Sequence, residues 1–335
     1  EVFKIIKSKI QNTNKDKIAG FVGDLMNMEA SYIFKEFLER TIDTKNYESR
    51  SSDVFIDNSK RENYLFNSTI NGIEESDLIM LIGSNPRFEA TMLNARIRKA
   101  HLNNKVKIVS LNDVGDLTYP YKKLDGKTQT IKDIIEGNNE LTKEIIEAQK
   151  PMIIFGESFL KSKSAEFLFN SFKNFLLSNN KFTEDWSPLN ILSLDAATVG
   201  NLDLDIINQS NNLIKDLSEN KFDLVFLMGQ DNLKFNKKNE FVIYIGSHGD
   251  NGAELADIIL PGAAYTEQSG HYTNLEGKIQ KAHKASYPPG DAKEDWQIIN
   301  ELSGYIKKKS LYKDKSQLLD SMSNYLKINL NSDNE

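Results

Sequence analysis

Short apolar, β-branched runs alternate along the chain with helix-length amphipathic segments. That alternation is the pattern of parallel sheets buried on both faces by helices. "KIAGFVG" (17–23) predicts a first strand, "NMEASYIFKEFLERT" (27–41) a helix and "SDVFID" (52–57) a second short strand. "SDLIMLIG" (76–83) is continuously apolar and ends in glycine, as a fully buried strand does. A helix over 86–102 and a strand over "KVKIVSLN" (105–112) complete a first α/β lobe, residues 1–125. "TYPYKKLDGKTQT" (118–130), with Pro120 and Gly126 among polar residues, reads as a connector.

The second α/β lobe, residues 126–310, opens with helices over 131–137 and 140–149 and a strand at "PMIIFGES" (151–158). In "SAEFLFNSFKNFLLS" (164–178) the apolar positions fall on one broad helical face, which assigns Phe167, Leu168, Phe172, Phe175 and Leu176 to the core. Strands follow at 221–229 and 240–247, with a shorter one at 256–262. A basic turn, a short helix and a frayed terminus make residues 311–335 a C-terminal tail. The fold class is therefore α/β, two Rossmann-like lobes with mostly parallel sheets.

Composition narrows the chemistry. The chain of 335 residues has no cysteine, so within it there is no disulfide, thiolate zinc site, iron-sulfur cluster or cysteine nucleophile. A net charge of −6 argues against a nucleic-acid groove, which needs a basic face. No apolar run approaches the roughly 20 residues that span a bilayer, so membrane association is expected only through partner subunits. The sequence starts at Glu1 without a signal-like apolar region and is expected to be an excerpt of a longer protein, in which case the missing cysteines describe the excerpt alone.

Several loops could carry chemistry. In "IGSNPRFEA", Gly83 permits a sharp turn, Asn85 can cap the next helix, Pro86 suits its first turn and Arg87 adds a donor fork for an anion. The same residues serve equally as a capped helix with a surface arginine. Gly246, Gly249 and Gly252 follow a strand but lack dinucleotide-fingerprint spacing, and "FVGDLM" after the first strand is a similarly weak signal. Of the four histidines, His101 and His283 read as surface residues, whereas His248 and His271 lie in glycine-bearing loops. No carboxylate stands at HExxH spacing and no GxSxG elbow occurs, so neither a metal site nor a hydrolase is indicated. Asp250, Glu254, Glu267 and Glu276 share these loops, where capping and turn duties compete with acid-base work. The polar turns of residues 262–280 could present donors to a ligand or satisfy themselves.

As a signature these residues say more. "ADIILPGAAYTEQSGHYTNLEGKIQ" (256–280) resembles the corresponding stretch of the molybdopterin oxidoreductase superfamily, which runs close to ADVVLP, then E, then GTFTNxEGRxQ. "SDLIMLIGSNPRFEATMLNARIRKA" and "YPPGDAKEDWQIINELS" resemble one branch of it, the large iron-sulfur subunits of respiratory NADH-quinone oxidoreductase, complex I. The resemblance runs from about residue 17 to about residue 304 and implies the fold of formate dehydrogenase and DMSO reductase domains 1–3. By position, Gly83, Asn85, Gly246, His271, Thr273, Asn274 and Glu276 would line a vestigial pterin pocket, although His271-Tyr272 stands where the family has Thr-Phe. About sixty residues follow the signature, too few for the further domain that encloses the cofactor in working enzymes, so an open pocket is expected.

The resemblance thus implies a scaffold supporting electron transfer from NADH to quinone, with no catalytic residue, metal ligand or cofactor of its own. Iron-sulfur clusters are expected in a preceding N-terminal region. The implied partners are other peripheral-arm subunits of complex I, on the cytoplasmic face of a bacterial inner membrane or the matrix side of a mitochondrial one. The alternative is a molybdopterin-dependent oxidoreductase of formate dehydrogenase type. A nicotinamide-binding dehydrogenase rests on the α/β pattern alone.

Overall fold

A computed structural model describes residues 1–208 and 212–330. The chain forms two compact units, and neither is a continuous stretch of sequence: one comprises residues 1–53, 195–274 and 279 onward, the other residues 54–194 and 275–278. The sequence reading, with consecutive lobes meeting at residues 125/126, differs from this division. The reason lies in strand pairing: the first strand of the chain, Ile18–Val22, takes Leu224–Met228 as its neighbour, so both ends of the sequence are needed to complete one sheet.

In the first unit five parallel strands lie in the order Ile258–Pro261, Phe241–Gly246, Leu224–Met228, Ile18–Val22, Tyr47–Glu48. Ile18–Val22 and Leu224–Met228 are buried at every position, which is why their sequences show unbroken apolar runs. The second unit has its own parallel sheet, ordered Lys122–Lys123, Lys107–Ser110, Leu78–Ile82, Pro151–Phe155, Leu189–Ile191. Phe155 at the end of its fourth strand packs against the rings of Phe159, Phe169 and Phe172, with centroids 5.0, 5.4 and 5.8 Å away. A two-stranded antiparallel hairpin, Gly270–Thr273 with Ile279–Ala282, completes the strands of the first unit. Among the described residues no helix is long and apolar enough to cross a membrane.

Four local expectations change. Residues 52–57 form no strand; the short partner of Ile18–Val22 is Tyr47–Glu48 instead, and the chain passes from one unit to the other at residues 53/54. The helix expected over 86–102 is broken at Ala90 (φ −152°, ψ 70°) into Pro86–Glu89 and Thr91–Asn104. Phe167 is 62% exposed, because the buried stripe of Ala165–Ser178 runs through Leu168, Phe169, Phe172, Phe175 and Leu176 and leaves position 167 outside it. The short helix expected in the C-terminal tail is Lys315–Leu326, but it packs: Asp314 caps it and Leu318 and Met322 enter the core of the first unit, while the terminus expected to fray, residues 331–335, lies outside the described residues.

The register of Ala165–Ser178 gives a direct test with one residue type. Phe169→Ala should cost about 3–5 kcal/mol in urea unfolding and Phe167→Ala less than about 0.5 kcal/mol. Equal losses would contradict the observed stripe.

Candidate functional site

An open parallel sheet forms a crevice where neighbouring strands send their connections to opposite sides, beyond the carboxyl ends of those strands. In the first unit this point lies between Ile18–Val22 and Leu224–Met228. Gly23 and Gly229 follow these strands directly. The Gly23 N–H donates to the Met228 carbonyl at 2.8 Å, and a Cβ on Gly23 would lie 1.7 Å from the Gly229 oxygen. Gly229 has φ +58°, and the Met26 sulfur lies against it, 2.4 Å from where its own Cβ would be. The Gln230 amide donates to the Val22 carbonyl at 2.9 Å, and Asn232 donates to the Asp24 carboxylate. The chain's own glycine contact, thioether and amide therefore occupy the place where a ligand would approach the strand ends.

The helix Met28–Glu36 starts beside this point. Asn27 caps it, its side chain accepting from the Ala30 N–H at 2.9 Å. Glu29 in the first turn is 1% exposed and meets His271 of the hairpin twice: the ring Nδ1 lies 2.7 Å from Oε1, and the backbone N–H donates to Oε2 at 2.8 Å. Burial pushes the Glu29 carboxyl up, but the hydrogen bonds and charge of His271 outweigh it and hold the group below its ordinary value. The helix dipole acts in the same direction. Thr273, also buried, donates to the Met28 sulfur at 3.3 Å, and Gly270 lies so close to Asn27 that a Cβ would meet its side chain at 2.5 Å.

A second buried carboxylate behaves in the opposite way. Asp295, at the start of the helix Asp295–Lys307, is 2% exposed and has one side-chain donor, the Gln268 amide at 2.6 Å. Burial, reinforced by the neighbouring charge of Glu294, pushes it up to about 7. A Cβ on Gly262 would lie 2.3 Å from its oxygen, so the glycine of "LPG" leaves room for this carboxyl.

The seven pocket positions divide between the units. Gly246, His271, Thr273 and Asn274 belong to the first, and Gly83, Asn85 and Glu276 to the second. Gly246 closes its strand against the Tyr244 hydroxyl, 2.3 Å from where a Cβ would stand, and Asn274 is half-buried. In the second unit Gly83 (φ +66°) sits at the corresponding crossover, between Leu78–Ile82 and Pro151–Phe155. The Gly156 N–H donates to the Ile82 carbonyl at 2.9 Å. Glu276 accepts from the Ile70 N–H at 2.6 Å. Asn85 does not cap through its side chain: its amide donates to the Val114 carbonyl at 3.0 Å, while the Glu89 carboxylate returns to the Asn85 N–H at 2.9 Å. Arg87 is engaged by Asp116 at 2.7 Å. Among the described residues the buried Ser84 Oγ and Asn85 Oδ1 find no hydrogen-bond partner.

Of the histidines, only His271 is buried; His248 and His283 are exposed, and His101 lies 3.3 Å from the Val106 carbonyl. Among the described residues no three His, Asp or Glu side chains converge as a metal site. Sequence reasoning missed Glu29, Gln268 and Asp295. Gln268 and Asp295 lie inside quoted motifs, but nothing local marks them as buried, and Glu29 looks like an ordinary first-turn acid.

Residues 1–305 match the family model described as Molybdopterin oxidoreductase. The chain belongs to the molybdopterin oxidoreductase family. It is 36% identical over 323 residues to the NADH-ubiquinone oxidoreductase 75 kDa subunit of Reclinomonas americana, covering 92% of this chain and 47% of that one. It is 40% identical over 308 residues to the corresponding NADH-quinone oxidoreductase subunit of Rickettsia typhi, covering 92% and 44%. The chain thus spans about half the length of the curated relatives it matches. Two solved structures share the fold at 12% identity. A formyltransferase/hydrolase complex of Methylorubrum extorquens has a TM-score of 0.61, covering 91% of this chain and 95% of that one. Acetylene hydratase of Pelobacter acetylenicus has 0.54, covering 98% and 61%.

Membership of the molybdopterin oxidoreductase family raises the question of whether these residues suit a pterin. Ser84 and Asn85 in the second unit retain unpartnered polar atoms that suit a polar ligand. In the first unit the His271 ring and the Thr273 hydroxyl are already committed to Glu29 and Met28. The His271 and Thr273 side chains of the first unit do not fit the group, and no chemical step is assigned through it.

Asp295 supplies a pH test. Its folded value lies above the ordinary 3.8, so its contribution to stability is full below about 3.8 and is lost as pH rises toward about 7. Asp295→Asn keeps an acceptor for Gln268 and removes the titration. Between pH 5 and pH 8 the wild-type unfolding free energy should fall by about 2–3 kcal/mol relative to the variant. Parallel pH profiles in urea melts would contradict the assignment.

Proposed function

We propose that this chain is the molybdopterin oxidoreductase-like region of the large iron-sulfur subunit of a proton-pumping NADH-quinone oxidoreductase, and that it acts there as a scaffold. It supports electron transfer from NADH to quinone by holding cluster-bearing neighbours at fixed distances, and it brings no cofactor of its own. The observation that carries the reading is 36–40% identity over 92% of the chain to relatives named as subunits of that enzyme. The geometry supports it, because the signature strand Gly270–Thr273 commits His271 and Thr273 to the helix Met28–Glu36. On this reading the clusters belong to a region preceding Glu1, the partners are other peripheral-arm subunits, and membrane contact is made through them. The location is then the cytoplasmic face of a bacterial inner membrane or the matrix side of a mitochondrial one.

The unpartnered Ser84 Oγ and Asn85 Oδ1 favour the second reading, a molybdopterin-dependent oxidoreductase of formate dehydrogenase type. Metal analysis and pterin fluorescence of the natively purified protein separate the two. The scaffold reading expects the chain to co-purify with NADH:quinone activity, without stoichiometric molybdenum, tungsten or pterin. Stoichiometric metal and pterin would establish the alternative.

A further inference from the structure

The first unit carries a shallow groove of about 400 Å3 lined by Phe3, Glu301, Gly304, Tyr305, Lys308 and Lys309. It runs beside the first helix, Val2–Asn12, and the end of Asp295–Lys307. The Phe3 and Tyr305 rings meet edge-on at 6.0 Å, and the Lys7 ammonium stands over the Tyr305 ring at 5.6 Å. Glu301 is the one carboxylate in the lining, and Lys293 engages both of its oxygens at 2.7 and 2.8 Å. Among the described residues neither Lys308 nor Lys309 has an ion pair, and Lys7 has only its ring contact. An aromatic floor thus lies under a cationic rim whose only acid is already neutralised, on a chain whose net charge is −6.

We propose that this groove docks an acidic segment of a partner polypeptide, with aromatic surface burying its apolar side chains and Lys7, Lys308 and Lys309 receiving its carboxylates. Complementarity of charge at a rim around an aromatic centre is the anatomy of a protein-protein contact. A lysine at a helix end also answers the helix dipole. That role accounts for Lys308 but not for Lys7 over an aromatic ring. An anionic bilayer fits less well, because the first helix buries Ile6 and packs Ile10 against the core of its own unit, and its exposed aliphatic residues, Val2 and Ile5, are fewer than the broad apolar face that insertion needs.

The inference deepens the scaffold reading and rests on it, since it assigns one surface of the scaffold to one kind of neighbour. Lysine acetylation of the intact purified complex, read by mass spectrometry, tests it. Lys308 and Lys309 should react about tenfold more slowly than the exposed Lys234 and Lys60 of the same chain. Carbodiimide should join Lys308 or Lys309 to an Asp or Glu of another subunit. The double variant Lys308→Glu, Lys309→Glu should reduce recovery of the chain with the complex, more so at raised salt. Acetylation at the rate of Lys234, with the chain present in the complex, overturns the inference alone. So does unchanged recovery of the double variant, or capture of the full-length chain by phosphatidylcholine-phosphatidylglycerol vesicles that this variant abolishes. Absence of the chain from the complex overturns the reading beneath it.

Discussion

A carboxylate that is 1% exposed can remain charged only if its oxygens are answered, and Glu29 is answered by a single residue in two ways, the ring and the main chain of His271. Much of the first unit's functional edge follows from that pair. It fixes the signature strand Gly270–Thr273 along the first turn of Met28–Glu36, which brings Thr273 onto Met28 and Gly270 against Asn27. The positive end of the helix, which would otherwise attract an anion, is answered from within by Glu29 itself. Removing either partner leaves buried polar groups without compensation, at a cost of about 1–3 kcal/mol or more.

The parallel strands were legible because burial on both faces demands continuous apolar runs, and "KIAGFVG", "SDLIMLIG" and "KFDLVFLMG" supply them. Which strands pair was not legible. Ile18–Val22 joins Leu224–Met228 across about two hundred residues, and no local pattern encodes a long-range choice of neighbour. The edge strands Tyr47–Glu48 and Lys122–Lys123 are two residues each and too short to leave a period. The break at Ala90 was hidden for a different reason: alanine favours helix, and the interruption is tied to Glu89 turning back to the N–H of Asn85.

The candidate site was legible in outline only. The signature located the strand at 256–262 and the loops after it, but read residues 262–280 as polar turns where the structure has the hairpin Gly270–Thr273 with Ile279–Ala282, and it did not give the partners of its side chains. His271 was noticed as an anomaly against the family pattern, and the structure supplies its cause: the imidazole is required by Glu29, 242 residues earlier. Gly262 has a similar explanation, since its missing side chain is the space that the Asp295 carboxyl fills. In both cases the residue type records a contact made far away in sequence, which spacing within a motif cannot reveal.

Glu29 and Asp295 also bear on whether this region does chemistry. Two carboxyl groups in one unit, one held down and one pushed up, are what an acid-base pair requires, and Tyr272 feels the charge of both. Proton transfer to a substrate further requires that at least one of them reach it. Glu29 is 1% exposed, His271 5%, Asp295 2% and Gln268 5%, and the hydrogen bonds of each are directed at another member of the unit. Burial pushes both carboxyls up; His271 brings Glu29 a ring, a backbone N–H and an opposite charge that outweigh it, whereas Asp295 has the Gln268 amide and a backbone N–H and feels the like charge of Glu294. The opposite shifts thus follow from uneven hydrogen-bond and charge supply around two buried carboxyls of one unit. Such an arrangement gives the unit directional, buried contacts that hold the strand Gly270–Thr273 and the helix Met28–Glu36 in one register.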